Sequence, residues 1–194
     1  MDASTNLHND DDGNQSESSF ITTTSNSAFS VKNKTNPCTP ITIVNTNARS
    51  LCPKIHSYIE CLEELDAQIG IVTETWLSDG VSLEEDKLDL EHGAGLGMLT
   101  LNRKPNAAGV SHGGVAITFR KSFCSLSRIP AKNPDNFEVL PAVGSIPGHR
   151  RKLVVFACYI PPSYDSARGK KCLEYISDMV CVRMRKYNLS LIHI

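Results

Sequence analysis

The sequence contains no Cys-x-x-Cys pair, although it has seven cysteines among its 194 residues. An odd number of cysteines without such a pair argues against a disulfide framework and against a structural zinc site. We therefore expect reduced thiols, as in proteins of the nucleus or the cytosol.

Long apolar segments are also missing. The longest apolar stretches, such as residues 153–158, are far too short to cross a bilayer, so we expect no contact with a membrane. No basic segment leads into an apolar core at the N-terminus, which argues against a signal peptide and predicts a nuclear or cytoplasmic protein that is not secreted. Hydrophobic residues make up 40% of the chain and charged residues 21%, as in an ordinary globular domain.

Positive charge is scarce in the first half of the chain. Residues 1–97 contain 5 Lys and Arg against 16 Asp and Glu, a net charge of −11, whereas residues 98–194 contain 15 against 5, a net charge of +10. Such asymmetry is typical of a surface that binds a polyanion. The alternative is that the two halves fold together and neutralise each other.

The N-terminal segment has the composition of a disordered tail. No Lys or Arg occurs before Lys32, and Asp, Ser, Thr and Asn occupy 22 of the first 36 positions. Such a segment buries too little apolar surface to offset the entropy lost on ordering. We predict that residues 1–39 are a disordered tail.

Regular structure is predicted from residue 41 onward. A β-branched strand at 41–47, a helix with one apolar stripe at 55–65 and a buried strand at 69–74 form a βαβ unit with parallel strands. Four strands follow at 98–101, 114–119, 137–146 and 152–159. A second helix at about 169–186 is expected to face inward through Leu173, Ile176, Val180 and Met184. This order predicts an α/β domain with a mixed sheet flanked by helices.

Three predicted strands end in a polar side chain. These side chains are Asn47, Glu74 and Tyr159. Sites in open α/β sheets form beyond the strand ends, so we expect these three residues to lie close together. The alternative for each of them, taken singly, is a solvated strand cap.

Four motifs around these positions resemble one family of proteins. They are Asn47-Ala-Arg-Ser-Leu51, Thr73-Glu-Thr-Trp-Leu77, Gly113-Gly-Val-Ala-Ile117 and Tyr159-Ile-Pro-Pro162. In this order they resemble the endonuclease domain of non-LTR retrotransposons, a branch of the endonuclease/exonuclease/phosphatase superfamily that includes the apurinic/apyrimidinic endonucleases. The resemblance implies that residues 40–188 are a partial domain of this kind, the N-terminal portion of a four-layer α/β sandwich.

The resemblance also implies a role for several side chains. Asn47 and Tyr159 would contact the scissile phosphate from two sides, and Glu74 would bind a catalytic Mg²⁺ (or Mn²⁺), a hard cation that prefers oxygen ligands. Glu138 matches a further acidic position of the same site. The implied reaction is metal-assisted attack of water on a phosphodiester of DNA. Six basic residues would help to bind the DNA backbone: Arg49, Arg150, Arg151, Lys152, Lys170 and Lys171.

Two motifs that the family uses are absent from this sequence. Neither a Gly-Asp-Phe-Asn strand end nor a Ser-Asp-His motif occurs after Tyr159. The sequence therefore predicts a fragment that is inactive as it stands and that lacks a second sheet, with a reverse transcriptase expected downstream in the parent protein. The alternatives are a phosphatase or RNA nuclease of the same superfamily, and a non-catalytic nucleic-acid-binding remnant.

The sequence of the last six residues, 189–194, indicates that they do not come from the native protein. Their sequence Leu-Ser-Leu-Ile-His-Ile matches the translation of a transposase adaptor used to build sequencing libraries. We expect a non-native tail at 189–194. The alternative is the start of a native β-strand.

Overall fold

The computed structural model describes residues 22–27, 41–77, 95–103, 112–134, 137–150 and 152–187. For 22–27 only the backbone is described. Arg151, residues 189–194 and the remainder of the predicted tail lie outside the described residues.

Eight strands and two α-helices are described. The strands are β1 (Thr22–Ser27), β2 (Ile41–Asn47), β3 (Ile69–Thr73), β4 (Leu96–Leu101), β5 (Val115–Arg120), β6 (Ser125–Arg128), β7 (Glu138–Ser145) and β8 (Lys152–Tyr159). The helices are α1 (Ile55–Glu64) and α2 (Ser166–Tyr187), and a short 3₁₀ turn, Cys52–Lys54, precedes α1.

The strands form two sheets. The first has the order β1-β2-β3-β5-β4, in which only β2 and β3 are parallel, and the second has the antiparallel order β6-β7-β8. In the first sheet Asn47 pairs with Thr73, and Val115 pairs with both Thr73 and Leu101. Strands β2, β3 and β4 therefore end, and β5 begins, at one common edge.

Three apolar cores separate four layers. The first packs α1 against one face of the first sheet, through residues such as Tyr58, Leu62 and Val72. The second lies between the two sheets and includes Ile117 and Leu140. The third packs α2 on the outer face of the second sheet. Side chains alternate between faces along each strand, so every sheet contributes to two cores. The predicted α/β class with a mixed sheet, as part of a four-layer sandwich, is confirmed.

The second sheet corrects one expectation. The sequence predicted that the chain lacks the sheet that covers the apolar face of the first, but β6, β7 and β8 cover it through the central core. The turn at 121–123 leads the chain from β5 in the first sheet to β6 in the second. The short strand β6 was not predicted, because Ser125–Arg128 contains no β-branched or aromatic residue.

Two further details differ from the predictions. Thr22–Ser27 forms an edge strand antiparallel to β2, where a disordered tail was expected, because the exposed edge of β2 offers backbone hydrogen bonds to a Thr-rich segment. On α2 the buried stripe begins at Cys172 and continues through Tyr175, Ile176 and Met179, whereas Leu173 is 58% exposed. The prediction that Leu173 faces inward is therefore wrong by one position on the helix.

No described helix has the length and apolar character needed to cross a membrane.

Candidate functional site

The two sheets bring three of the predicted residues together at one edge of the sandwich. Asn47 ends β2, Glu74 follows β3 directly, and Tyr159 ends β8 on the inner face of the second sheet. Asn47 Nδ2 donates to Glu74 Oε1 at 3.0 Å, and the Tyr159 hydroxyl donates to the same oxygen at 2.5 Å. One carboxylate oxygen is thus held from both sheets at once.

These hydrogen bonds favour the charged form of Glu74. Partial burial acts to raise the pKa of its carboxyl group, but the hydrogen bonds from Tyr159 and Asn47 and the nearby Arg49 and His112 outweigh burial and lower that pKa. Burial and the adjacent carboxylate raise the pKa of Tyr159, so at neutral pH Tyr159 stays a phenol that can donate. Glu74 is therefore an oriented anion at neutral pH.

The second oxygen of Glu74 decides whether a metal ion fits. Neither of the hydrogen bonds to Glu74 uses Oε2, which has no partner among the described residues. No group of three or more His, Cys, Asp or Glu that could hold a metal ion occurs in the described part of the chain. One ionised carboxylate with a free oxygen fits Mg²⁺, which is commonly bound by one or two carboxylates together with water and substrate phosphates.

Glu138 lies beside this cluster. It pairs with Tyr159 across β7 and β8, so both side chains point toward the first sheet, and it is only 4% exposed. Its Oε2 accepts a hydrogen bond from the backbone N–H of Gly114 at 2.7 Å, and its Oε1 lies 3.4 Å from Arg103 Nη1. Burial raises the pKa of the Glu138 carboxyl group, and the charge of Glu74 raises it further. The hydrogen bond from Gly114 and the charge of Arg103 act in the opposite direction, but the pKa stays above its ordinary value.

The backbone that carries Glu74 is bound to a diglycine turn, Gly113-Gly114. The N–H of Trp76 donates to Gly113 O at 2.8 Å, and the N–H of Thr75 donates to Gly114 O at 3.2 Å. The Trp76 ring also meets His112 edge-on, with ring centroids 4.5 Å apart. Residues 74–76, which we call the Glu74 loop, are therefore docked on the residues that lead into β5.

The predicted DNA-binding residues are spread over the molecule. Arg49 lies beside the cluster, where its N–H donates to Asn47 Oδ1 at 3.2 Å. Lys170 and Lys171 are exposed near the start of α2, and Lys170 lies 3.9 Å from Glu174. Lys152 is seven residues from Tyr159 along β8, about 23 Å at the rise of a β-strand, and exposed Arg150 precedes it.

Two residues of the site were not predicted from the sequence: Arg103, which lies beside Glu138, and His112, which is near Glu74. Arg103 follows the end of β4, which lies at the same edge as the ends of β2 and β3, so the strand-end rule could have found it. His112 directly precedes the diglycine turn, but a single histidine in a loop carries no signal without the fold.

Comparison with known proteins supports the fold only. No protein-family model and no curated protein matches this chain. Two solved structures align over 75% of this chain and 53% of their own, each with a TM-score of 0.52. They are the 3′ phosphatase NExo from Neisseria bound to a product DNA hairpin, at 17% identity, and the 3′-5′ exonuclease NExo from Neisseria meningitidis, at 16%.

A third structure, an AP endonuclease from Archaeoglobus fulgidus, aligns over 72% of this chain and 49% of its own with a TM-score of 0.47 and 19% identity. The chain spans about half the length of the solved structures it matches. The likeness to the NExo structures shows that this chain and NExo share an α/β fold.

Proposed function

We propose that this chain is part of a Mg²⁺-dependent DNA endonuclease domain of the non-LTR retrotransposon type that acts in the nucleus or cytoplasm, with Mn²⁺ as an alternative ion. The whole protein would nick target DNA so that the new 3′-OH primes a reverse transcriptase encoded downstream. The observation that carries the proposal is the cluster in which Asn47 and Tyr159 hold one oxygen of Glu74 and leave the other without a described partner.

The chain's own residues would bind and orient in this scheme. Glu74 would hold the ion through Oε2, while Asn47 and Tyr159 keep its carboxylate charged and fixed. A bound divalent ion would stabilise charge on the leaving oxygen of a phosphodiester. Arg49, near Glu74, and Lys170 and Lys171, at the start of α2, would attract the DNA backbone. Arg150, Arg151 and Lys152 would reach phosphates farther along the duplex.

We further propose that residues 1–194 do not cleave DNA by themselves. The described site offers Glu74 and Glu138 as its carboxylates, and Glu138 is already engaged by Gly114 and Arg103. Loss of members of a catalytic constellation commonly costs orders of magnitude in rate. Supercoiled plasmid incubated with the chain and Mg²⁺ should therefore show no nicking above background. Nicking that disappears in Glu74→Gln would contradict this account of what the site requires.

Metal binding tests the proposal directly. Free Mn²⁺ measured by electron paramagnetic resonance should fall when the wild-type chain is added, and Glu74→Gln should abolish this binding. Glu60→Gln is the matched control, because Glu60 is an exposed glutamate on α1, away from the cluster. Mn²⁺ binding that persists in Glu74→Gln, or that is absent from the wild type, would refute the proposal.

Two alternatives remain as competing functions. A phosphatase or RNA nuclease would use the same Asn47 and Glu74 on another substrate. The likeness in fold to the 3′ phosphatase NExo favours testing a 3′-phosphorylated DNA end. A non-catalytic nucleic-acid-binding remnant would bind DNA with a steep salt dependence that neither Mn²⁺ nor Glu74→Gln changes. Competition among duplex DNA, 3′-phosphorylated DNA and RNA at several salt concentrations separates these possibilities.

A further inference from the structure

The Glu74 loop has a strained backbone that its neighbours must hold in place. Glu74 and Trp76 both have φ of +52°, although neither is glycine. A non-glycine residue rarely adopts this region, and such a conformation persists only where the surroundings enforce it. The position of the Glu74 carboxylate therefore depends on whatever holds this loop.

The diglycine turn supplies that support from one side. Its two carbonyls accept the N–H groups of Thr75 and Trp76, as described above. Gly113 and Gly114 themselves have φ of +101° and +87°, which side-chain-bearing residues rarely adopt. The turn therefore needs its own anchor if it is to hold the loop.

Glu138 is that anchor. Its Oε2 accepts the Gly114 N–H, and a Cβ added at Gly113 would lie 2.6 Å from its Oε1, so carboxylate and turn fit without spare room. A hydrogen bond to a charged acceptor is stronger than a neutral one. Arg103 approaches the other oxygen and partly balances the buried charge.

Burial of a carboxylate is costly, so a residue needed only for packing at this position would be apolar. We infer that Glu138 is a positioning residue: through the diglycine turn it fixes the Glu74 loop and thereby the metal-binding carboxylate. The metal part of this inference rests on the proposed function, whereas the positioning part concerns the loop alone.

The tryptophan provides a direct test, because Trp76 is the only tryptophan in the chain and belongs to the loop. Three variants are compared with the wild type by tryptophan emission, Mn²⁺ binding, far-UV circular dichroism and thermal melting. They are Glu138→Ala, Glu138→Gln and the control Glu60→Gln.

Glu138→Ala should shift the Trp76 emission to the red in the folded protein and weaken Mn²⁺ binding roughly 10- to 100-fold, as is usual when a group that orients a metal ligand is lost. Glu138→Gln should be intermediate, since an amide oxygen can still accept the Gly114 N–H but lacks the charge. Glu60→Gln should match the wild type in all four measurements.

Each remaining outcome decides the inference. Wild-type emission and Mn²⁺ affinity in folded Glu138→Ala, with only a lower melting temperature, would mean that Glu138 is merely structural. If Glu138→Ala does not fold, wild-type emission in Glu138→Gln overturns the inference. If the wild type binds no Mn²⁺, the proposed function fails, but a red shift in Glu138→Ala still supports the positioning role and an unchanged emission rejects it.

Discussion

At the scale of single residues, the candidate site depends on how one carboxylate is shared. Glu74 Oε1 accepts two hydrogen bonds, one from each sheet, and these bonds keep the group charged despite partial burial. Strand-end positions in the sequence were enough to predict that Asn47, Glu74 and Tyr159 lie together. Their chemical roles stay predictions.

Removal of the Tyr159 hydroxyl should make Glu74 easier to protonate. After the opposing effect of burial, the Tyr159 hydrogen bond is the largest influence on the pKa of Glu74, and it lowers that pKa. In Tyr159→Phe the pKa of Glu74 rises, so Mn²⁺ binding should be lost at a higher pH than in the wild type and be about tenfold weaker. Mn²⁺ titrations over a pH series measure both effects.

Tyr175→Phe is the matched control for this prediction. The single O–H of Tyr175 is shared between Lys132 O and Asn133 Oδ1 on the far side of the second sheet, away from Glu74. This variant should bind Mn²⁺ with the wild-type pH profile. Equal pH profiles for Tyr159→Phe and the wild type would mean that the phenol does not tune Glu74.

Glu138 should reduce stability at neutral pH. Burial raises the pKa of Glu138 in the folded state above its value in the unfolded chain, so the folded state binds the proton more tightly. Protonation of Glu138 therefore stabilises the fold at acid pH, and this contribution is lost as pH rises through the folded-state pKa. Glu138→Gln should therefore have the higher free energy of unfolding at neutral pH, and the difference should shrink toward acid pH. Urea denaturation at several pH values tests the sign; a less stable Glu138→Gln would mean that Gly114 and Arg103 outweigh burial.

The contacts between Arg103, Glu138 and Gly114 are the part of the site that the sequence could not predict. Glu138 meets Gly114 and Arg103 only because the second sheet packs on the first with Glu138 opposite Tyr159. Neither the pairing of β7 with β8 nor the contact between the sheets has a local signature in the chain. Gly114 and Glu138 lie at the starts of predicted strands, so the strand-end rule that joined Asn47, Glu74 and Tyr159 does not join them.

At the scale of elements, hydrophobic periodicity predicted which segments form helices and strands better than it predicted which strands pair with one another. Both helices and six of the strands were predicted close to their observed bounds. Strand β1 was missed because its polar, Thr-rich composition resembles that of a disordered tail. The division into two sheets was missed because strand order does not reveal where the chain changes sheets. On α2, the predicted buried stripe starts at Leu173 and the observed one starts at Cys172, a difference of one residue that periodicity alone does not resolve.

The same substitution on the two helices should separate a buried position from an exposed one. Leu62 on α1 is 2% exposed and packs in the first core, whereas Leu173 on α2 is largely exposed. Leu62→Ala should lower the free energy of unfolding by about 2–5 kcal/mol. Leu173→Ala should change it by less than about 0.5 kcal/mol. Urea denaturation of both variants measures the contrast, and a comparable loss in Leu173→Ala would show that this side chain is covered in solution.

At the scale of the whole molecule, the central core joins the two sheets into one unit. Ile117 and Phe119 from the first sheet pack with Leu140 and Val155 from the second, so neither sheet can lose its partner without exposing this surface. The charge asymmetry of the sequence does not divide the fold in the same way, because β5 and most of β4 belong to the basic half yet lie in the first sheet with β2 and β3.

This shared core predicts a single unfolding transition. The central core contains eleven buried residues from both sheets and the turns that join them, and burial on this scale couples its members. Trp76 emission reports the edge of the first sheet, whereas far-UV circular dichroism reports all helices and strands. The two probes should give coincident urea curves, as two-state unfolding requires. As a control, Leu140→Ala removes a second-sheet contact to the central core and should shift both curves equally to lower urea. If it shifts the circular dichroism curve and leaves Trp76 emission unmoved, the two sheets unfold independently and the expectation is wrong.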